Sequence, residues 1–206
     1  MNAAVALAVP LAPEDQARAD VYAILGRLWS APPDAALLAT LGGSARLAED
    51  AAAAWSAAFN RLADASSVMD AAAAEQEYTD LFIGVGKSEV VLNASHWLAG
   101  RSHDRPLAEL RTALAELGLA RHPDATLVED HLGPLCETMR LLVAGAPGRP
   151  PATVAVQRAF FSRWIASWAD RCCAAITDSA IANYYRRVAE CNKTFVAIER
   201  DSFAID

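Results

Sequence analysis

Apolar residues recur every three to four positions along most of the chain, and this spacing predicts helices. The first helix is predicted to begin at Pro13, a residue suited to a first turn, and to run to about Ser30. Pro32-Pro33 then ends it. Its apolar stripe consists of Val21, Ile24, Leu25 and Leu28. Tyr22 and Trp29 flank this stripe, and core packing is the expectation for Trp29.

The same spacing, together with capping residues, predicts the helices that follow. Asp34, Asp70, Asp104 and Thr126 are the candidate caps. Thr126-x-x-Glu129 has the form of a capping box, and Pro134 is then expected to kink the helix that the box begins. The predicted helices run from Asp34 to Leu41, Ser44 to about Ala65, Asp70 to Phe82, Asp104 to Gly118, Thr126 to Leu142, Thr153 to Asp170 and Cys172 to Glu199.

The chain is therefore predicted to be all-α, a single-domain bundle of about nine to ten helices. Apolar residues make up 54% of the sequence, much of it alanine, and β-branched residues never gather into alternating runs. Gly145 to Pro151 is too rich in glycine and proline for regular structure. We expect a disordered tail at 1–13, an N-terminal helical part at 14–144, a Gly/Pro linker at 145–152, and a C-terminal helical part of the same domain at 153–206.

Charge and cysteine content narrow the class of function. The net charge of −7 argues against nucleic-acid binding, and no basic recognition helix supports a transcription regulator. No apolar run approaches the ~18 residues of a membrane span, so we expect no membrane insertion. The first thirteen residues lack the basic start of a signal peptide. The four cysteines lack C-x-x-C spacing, as expected of reduced thiols in a cytoplasmic protein.

The stretch from Glu75 to Pro106 differs from the alanine-rich segments around it. Tyr78, Leu81 and Phe82 lie on one helical face, and Gly84 and Gly86 then end the helix in an exposed turn. The residues Glu77-Tyr78-x-x-Leu81-Phe82-x-Gly84-x-Gly86 resemble the signature of the TorD/DmsD/NarJ family of cytoplasmic chaperones for molybdenum-containing redox enzymes. Glu129-Asp130-His131-Leu132 resembles the second motif of that family, and the aromatic pattern of the last 45 residues is similar too.

This resemblance implies a TorD-like helical bundle that works as a chaperone and not as an enzyme. The implied partner is the precursor of a molybdoenzyme catalytic subunit, bound through its twin-arginine leader until cofactor insertion is complete, so that export is delayed. We expect a monomer or homodimer and no cofactor, while contact with guanine nucleotide or molybdenum cofactor stays open. Two departures, the run Val90 to Asn93 and Trp164 where the family has His, leave the client undefined.

A leader peptide carries an apolar stretch and a basic pair, so its binding surface should combine apolar anchors with carboxylates. Asp80 and Asp130 are the candidate carboxylates. A purely structural role is the alternative for Glu129, as a cap, and for His131. The candidate peptide-binding residues are Tyr78, Asp80, Leu81, Phe82, Gly84, Gly86, Trp97, Glu129, Asp130 and His131.

The alternative function is a nucleotide-dependent enzyme that uses the turn from Gly84 to Ser88. The phosphate-loop pattern fails there, because Leu81 stands where it requires glycine and no strand is predicted before the turn. No catalytic triad or pair of catalytic carboxylates is recognisable. His96 and His103 lack the spacing and neighbours of metal ligands, so no metal site is predicted.

Overall fold

A computed structural model of the chain describes residues 11–48, 53–84, 86–99 and 104–205. These residues form α-helices and no strand, which confirms the all-α prediction. The helices are α1 (Pro13–Ser30), α2 (Ala35–Gly42), α3 (Ala53–Val68), α4 (Ala71–Tyr78), α5 (Ala94–Leu98), α6 (Asp104–Glu116), α7 (Leu132–Ala144), α8 (Val154–Phe161), α9 (Ala169–Asp178) and α10 (Tyr184–Ile205). π-Helical segments, Thr79–Ile83 and Ser162–Ala166, continue α4 and α8. Within the described ranges, no helix is both long and apolar enough to cross a membrane.

One hydrophobic core draws on helices from both ends of the chain. α1 packs along α7, and α10 packs against α3 and α9. The largest fully buried side chains are Trp29, Trp168, Tyr22, Tyr184 and Tyr185. A core shared in this way confirms a single domain. The predicted division at 145–152 stays a prediction, and residues 1–10 of the predicted tail lie outside the described residues.

α1 and α7 approach closely because a glycine on each helix faces the other. A Cβ atom added to Gly133 would lie 3.1 Å from the carbonyl oxygen of Gly26 and 3.2 Å from the Cα of Ser30. Any side chain at position 133 would therefore push the two helices apart. The sequence pattern did not reveal this contact, which sets the spacing of the two helices.

Two of the predicted caps take the predicted form. The Asp34 carboxylate accepts the Leu37 N–H at 2.8 Å and begins α2. The Asp70 carboxylate accepts the N–H groups of Ala72 and Ala73 and begins α4. A third predicted cap, the Asp104 side chain, lies outside the described residues.

The helix predicted from Ser44 is wrong at its start. Residues 44–48 are not helical, residues 49–52 lie outside the described ranges, and α3 is described from Ala53. The irregular segment is bonded to the side of α3 instead. Arg46 pairs with Asp64 at 2.7 Å, and the Asn60 amide exchanges two hydrogen bonds with the Leu47 backbone. These tertiary bonds replace the helical bonds expected from the alanine-rich pattern.

The capping box at Thr126 is also wrong, because α7 begins at Leu132 with His131 as its cap. The Glu129 carboxylate pairs with Arg111 rather than with a helix start. Pro134 consequently lies in the first turn of α7, where a backbone N–H has no intrahelical partner to lose. The kink predicted at Pro134 assumed that the helix began at Thr126. Because α7 begins at Leu132, Pro134 breaks no hydrogen bond within the helix.

Two helices are predicted for the C-terminal part, but the structure has three there: α8 with its π-helical continuation, α9 and α10. The first break falls at Ser167-Trp168, where Trp168 leaves helical geometry at φ −145°. The second break begins at Ser179, which is extended. The aromatic residues Phe161, Trp164 and Trp168 of this part are buried in the core.

Candidate functional site

Glu77 of the first motif caps a helix that is distant in sequence. Its carboxylate accepts the backbone N–H groups of Asn183, Tyr184 and Tyr185 at 2.8, 3.0 and 2.8 Å. These donors open α10, and the first N–H groups of a helix have no partner within it. The negative charge also suits the positive end of the helix dipole. Glu77 therefore attaches the start of α10 to the end of α4.

The apolar residues of the first motif lie in the core. Leu81 is fully buried, and Tyr78 is 6% exposed, with its hydroxyl donating to the Trp29 carbonyl at 3.0 Å. Burial raises the pKa of Tyr78 to about 12. Phe82 is half-buried and makes edge contacts with the rings of Tyr78 and Tyr185 at 5.1 Å. In this conformation Tyr78 and Leu81 pack in the core, and their contact with a peptide stays a prediction.

Asp80 is the exposed member of the first motif. It accepts a hydrogen bond from Gln76 one turn earlier at 2.9 Å, and it lies on the outer surface of the π-helical turn. Its proposed pairing with a leader arginine stays a prediction.

The glycine turn after the first motif is tightly folded. Gly84 has φ 66°, and a Cβ atom there would collide with the Lys87 carbonyl group. Gly86 has φ 92°, and Val85 lies outside the described residues. The chain then returns to the helix end, where the Val90 N–H donates to the Leu81 carbonyl at 2.9 Å. The turn thus reverses the chain after a helix, which differs from the strand-to-helix geometry of a phosphate loop.

Asp130 of the second motif is buried and fully engaged by its own chain. Its carboxylate accepts the Asn93 side-chain amide at 2.8 Å and the Ser95 N–H at 2.9 Å. Its carbonyl accepts the Ala94 N–H at 2.9 Å, and the Leu132 N–H donates to the Leu92 carbonyl at 2.8 Å. The carboxylate thus caps α5, and its pairing with a leader arginine stays a prediction.

His131 has a structural role at the start of α7. Its Nδ1 accepts the Gly133 N–H at 3.2 Å. Burial lowers the pKa of the imidazole to about 4, and the nearby Asp130 carboxylate only partly opposes this shift. The ring is consequently neutral near pH 7, as expected of the structural alternative and not of a charged ligand contact.

Trp97 is half-buried beside the α5 backbone. Its indole N–H donates to the Val91 carbonyl at 2.8 Å, and Arg171 donates to the Trp97 carbonyl at 2.9 Å. The Arg171 guanidinium also lies 5.9 Å from the indole centroid. The neighbouring His96 is exposed, and residues 100–103 lie outside the described ranges. Contact of Trp97 with a peptide stays a prediction.

The two motifs are joined by backbone bonds to the segment between them. The segment 90–95 leaves the first motif at Leu81 and pairs with the second at Asp130 and Leu132. We call residues 77–84, 90–95 and 130–132 the motif junction. It holds α4, α5, α7 and α10 in fixed relation.

An open groove of about 600 Å³ lies between α1, α7 and the segment 119–129. Of the predicted site residues, its lining includes Glu129. Small and apolar residues form much of the surface: Ala23, Gly26, Leu114, Leu119, Leu127, Pro134 and Leu141. Charged or titratable side chains also line it: Arg27, Arg121, His122, Asp124, Glu129 and Glu137. We call this surface the α1–α7 groove.

Three carboxylates border the α1–α7 groove. Glu129 accepts two hydrogen bonds from Arg111 at 3.1 Å, and this pairing lowers the pKa of the carboxyl group. Glu137 pairs with Arg140 at 2.6 Å, and Asp124 is almost fully exposed. Arg27 and Arg121 line the groove too, so it is the apolar residues and the individual carboxylates, not a net acidic charge, that suit a basic, partly apolar peptide.

Sequence reasoning missed most of this groove because its residues come from three separate segments, and among the lining residues only Glu129 belongs to a motif. A usable signal was present in Gly26 and Gly133, since glycine inside an amphipathic helix often marks close helix packing. Close packing of α1 on α7 forms the floor of the groove.

Other chemistry has little support in the described part of the chain. No group of three or more His, Cys, Asp or Glu side chains there is placed to hold a metal ion. All four cysteines are buried and unpaired with one another. Burial raises the pKa of both Cys173 and Cys191 to about 12, so these thiols are protonated at neutral pH.

Comparison with protein families gives a match over residues 48–174 to the family described as nitrate reductase delta subunit. This range is more than half of the 206-residue chain and contains both motifs. It ends within α9, and α1 and α10 lie outside it. No curated protein matches the chain.

Proposed function

The chain belongs to the nitrate reductase delta subunit family, a family of chaperones for molybdoenzyme maturation, and from this premise we propose that it binds the twin-arginine leader of a molybdoenzyme catalytic subunit. It holds the precursor in the cytoplasm until the cofactor is inserted and so delays export. It acts by binding alone, without catalytic turnover. The observation that carries the proposal is the α1–α7 groove, whose lining combines apolar residues with the carboxylates of Asp124 and Glu137.

The chemistry of a leader peptide matches this groove. Its apolar stretch can cover Leu127, Pro134 and Leu141, and its arginine pair can reach Asp124 or Glu137 at the edge. A volume of about 600 Å³ accommodates several side chains. Because a chaperone must release its client, we expect affinity near −8 kcal/mol, which corresponds to about micromolar binding.

Filling the groove tests the proposal. Ala23 lines the groove in the middle of α1, so Ala23→Trp places a large ring where the peptide would lie. We expect leader-peptide affinity to fall at least about tenfold, or about 1.4 kcal/mol, in an isothermal titration. Ala17→Trp is the matched control, since Ala17 is exposed on the same helix outside the lining. Equal leader-peptide affinity of Ala23→Trp and Ala17→Trp would show that the peptide does not bind in the groove.

A second peptide separates charge recognition from apolar contact. A leader in which both arginines are replaced by glutamine should bind more weakly at low salt and should lose most of the salt dependence. If the two peptides bind alike at all salt concentrations, the carboxylates of the groove do not recognise the arginine pair. Thermal melts of each variant, recorded alongside, exclude misfolding as the cause of lost binding.

A further inference from the structure

The charges that line the α1–α7 groove differ in how far other side chains already offset them. The Glu129 carboxylate pairs with Arg111 at 3.1 Å, and the Glu137 carboxylate pairs with Arg140 at 2.6 Å. A charge that already has a partner of opposite sign gains less from a second one, because the two partners compete for the same atoms. The side chains without such a partner therefore contribute most to the choice of ligand.

Arg121 is the least engaged cation of the lining. It is exposed on the segment 119–129, and its guanidinium donates to the Ala125 carbonyl within that segment. Among the charged side chains that the structure describes in the groove, Arg121 takes part in no ion pair, whereas Arg27 lies 3.5 Å from the Asp34 carboxylate. A guanidinium has five N–H donors, so most of those on Arg121 remain accessible to a bound ligand.

A leader peptide that brings only positive charge does not match this lining. Its arginine pair can reach Asp124, but Arg121 is three residues away on the same segment, so the approach brings like charges together. Like charges across an interface lower affinity, whereas a carboxylate beside a guanidinium forms charge-assisted hydrogen bonds. A leader that also carries a carboxylate therefore offers an opposite charge to Arg121 as well as to Asp124.

We propose that Arg121 is a specificity-determining residue, which selects leaders that carry an acidic side chain outside the arginine pair. This inference rests on the proposed function, because it assigns a charge preference to the same groove. Solvent screens an ion pair at an exposed arginine, so the expected preference is about threefold and not an absolute requirement.

A glutamate scan of the leader tests this preference. The starting peptide has one arginine pair, a leucine-rich stretch and no acidic residue, and each position outside the pair is replaced singly by glutamate or by glutamine. In isothermal titration at low salt, the wild-type protein should bind at least one glutamate peptide about threefold more tightly than its glutamine counterpart. Added salt should bring this ratio towards one.

Variants of the protein assign the preference to one side chain. Arg121→Glu should reverse the preference at the same peptide position, because attraction becomes repulsion, and Arg121→Gln should abolish it without reversal. Lys193→Glu is the matched control, since it changes the net charge as much as Arg121→Glu does and Lys193 is exposed on α10 outside the groove. The control should keep the wild-type preference.

Failure of this inference differs from failure of the proposed function. If leader peptides bind but no glutamate peptide is favoured, or if the preference persists in Arg121→Glu, then Arg121 does not select the leader. An equal change in Lys193→Glu would assign the preference to net charge and would also overturn the inference. If no peptide binds to any of the proteins, the proposed function is wrong and the inference falls with it.

Discussion

The motif junction and the α1–α7 groove differ in how much of their side chains is accessible in the structure. The sequence predicted that the two motifs would form a peptide-binding surface. In the junction, Leu81 and Asp130 are buried and the polar groups bond their own chain. In the groove, apolar residues such as Leu141 remain accessible and carboxylates border them. The motif residues therefore mostly organise the helices, while residues that, except for Glu129, belong to no motif form the surface that we propose for leader binding.

The junction nevertheless determines where the groove lies. His131 begins α7, and three turns of that helix supply Pro134, Glu137 and Leu141 to the groove. An error in the junction would displace this wall. The junction thus positions the helices, and the groove is proposed to contact the peptide. Variants that affect stability or affinity separately can test this difference.

The largest expected effect is on stability, in the junction. Leu81→Ala removes a fully buried side chain and should lower the free energy of unfolding by about 2–5 kcal/mol, because it leaves a cavity in the π-helical turn. Chemical denaturation measures this loss. Leader affinity of the folded fraction should stay within about twofold of wild type. A large loss of affinity with unchanged stability would reverse the roles of the two regions.

The next effect is a pH dependence at the second motif. His131 has a folded-state pKa of about 4 and an ordinary value of 6.5, so between these values the unfolded chain binds a proton that the folded chain does not. This residue is therefore expected to reduce stability by about 2–3 kcal/mol as the pH falls from 6.5 to 4.

His131→Asn keeps a side chain able to cap α7 but removes the titration. Between pH 4 and 6.5, the unfolding free energy of this variant should depend less on pH than that of wild type. The difference in slope should correspond to at most one bound proton, as measured by denaturation at several pH values. His122→Asn is the control, since His122 is exposed in the groove lining. Identical slopes in wild type and His131→Asn would show that the imidazole titrates normally.

A smaller effect is expected at the cap of α10. Glu77→Ala leaves three N–H groups without their acceptor and should cost about 1–2 kcal/mol. Glu75→Ala, at an exposed position of the same helix, should change stability by less than about 0.5 kcal/mol. Hydrogen exchange should locate the loss at the first turn of α10. Uniform loss of protection across the chain would contradict a local cap.

The sequence predicted those parts of the fold that depend on neighbours along the chain. The caps at Asp34 and Asp70 act within three residues, and Leu25 and Leu28 of the predicted stripe in the first helix are buried. The errors arose where a distant partner competes. Glu129 could bond a nearby helix start, but Arg111, 18 residues away, binds it instead.

The candidate site was predicted less well, for the same physical reason. Glu77 contacts residues 106 to 108 positions away, so local periodicity carries no sign of its role as a cap. An aromatic or apolar motif residue can pack inward or face a ligand, and the pattern alone does not separate the two. The all-α fold class was still predicted correctly, because apolar residues keep a helical spacing along most of the chain.

The contacts between α1 and α10 can form only late in synthesis. Arg18 binds the buried Glu199 at 2.7 Å across 181 positions, and Tyr22 donates to the same carboxylate at 2.8 Å. At roughly 5–20 residues per second, a ribosome adds Glu199 on the order of 10–40 s after Arg18. During this delay α1 exists without its last partner, with the apolar face that later meets α10 uncovered. The nascent chain thus exposes, for this interval, apolar surface that the finished fold buries.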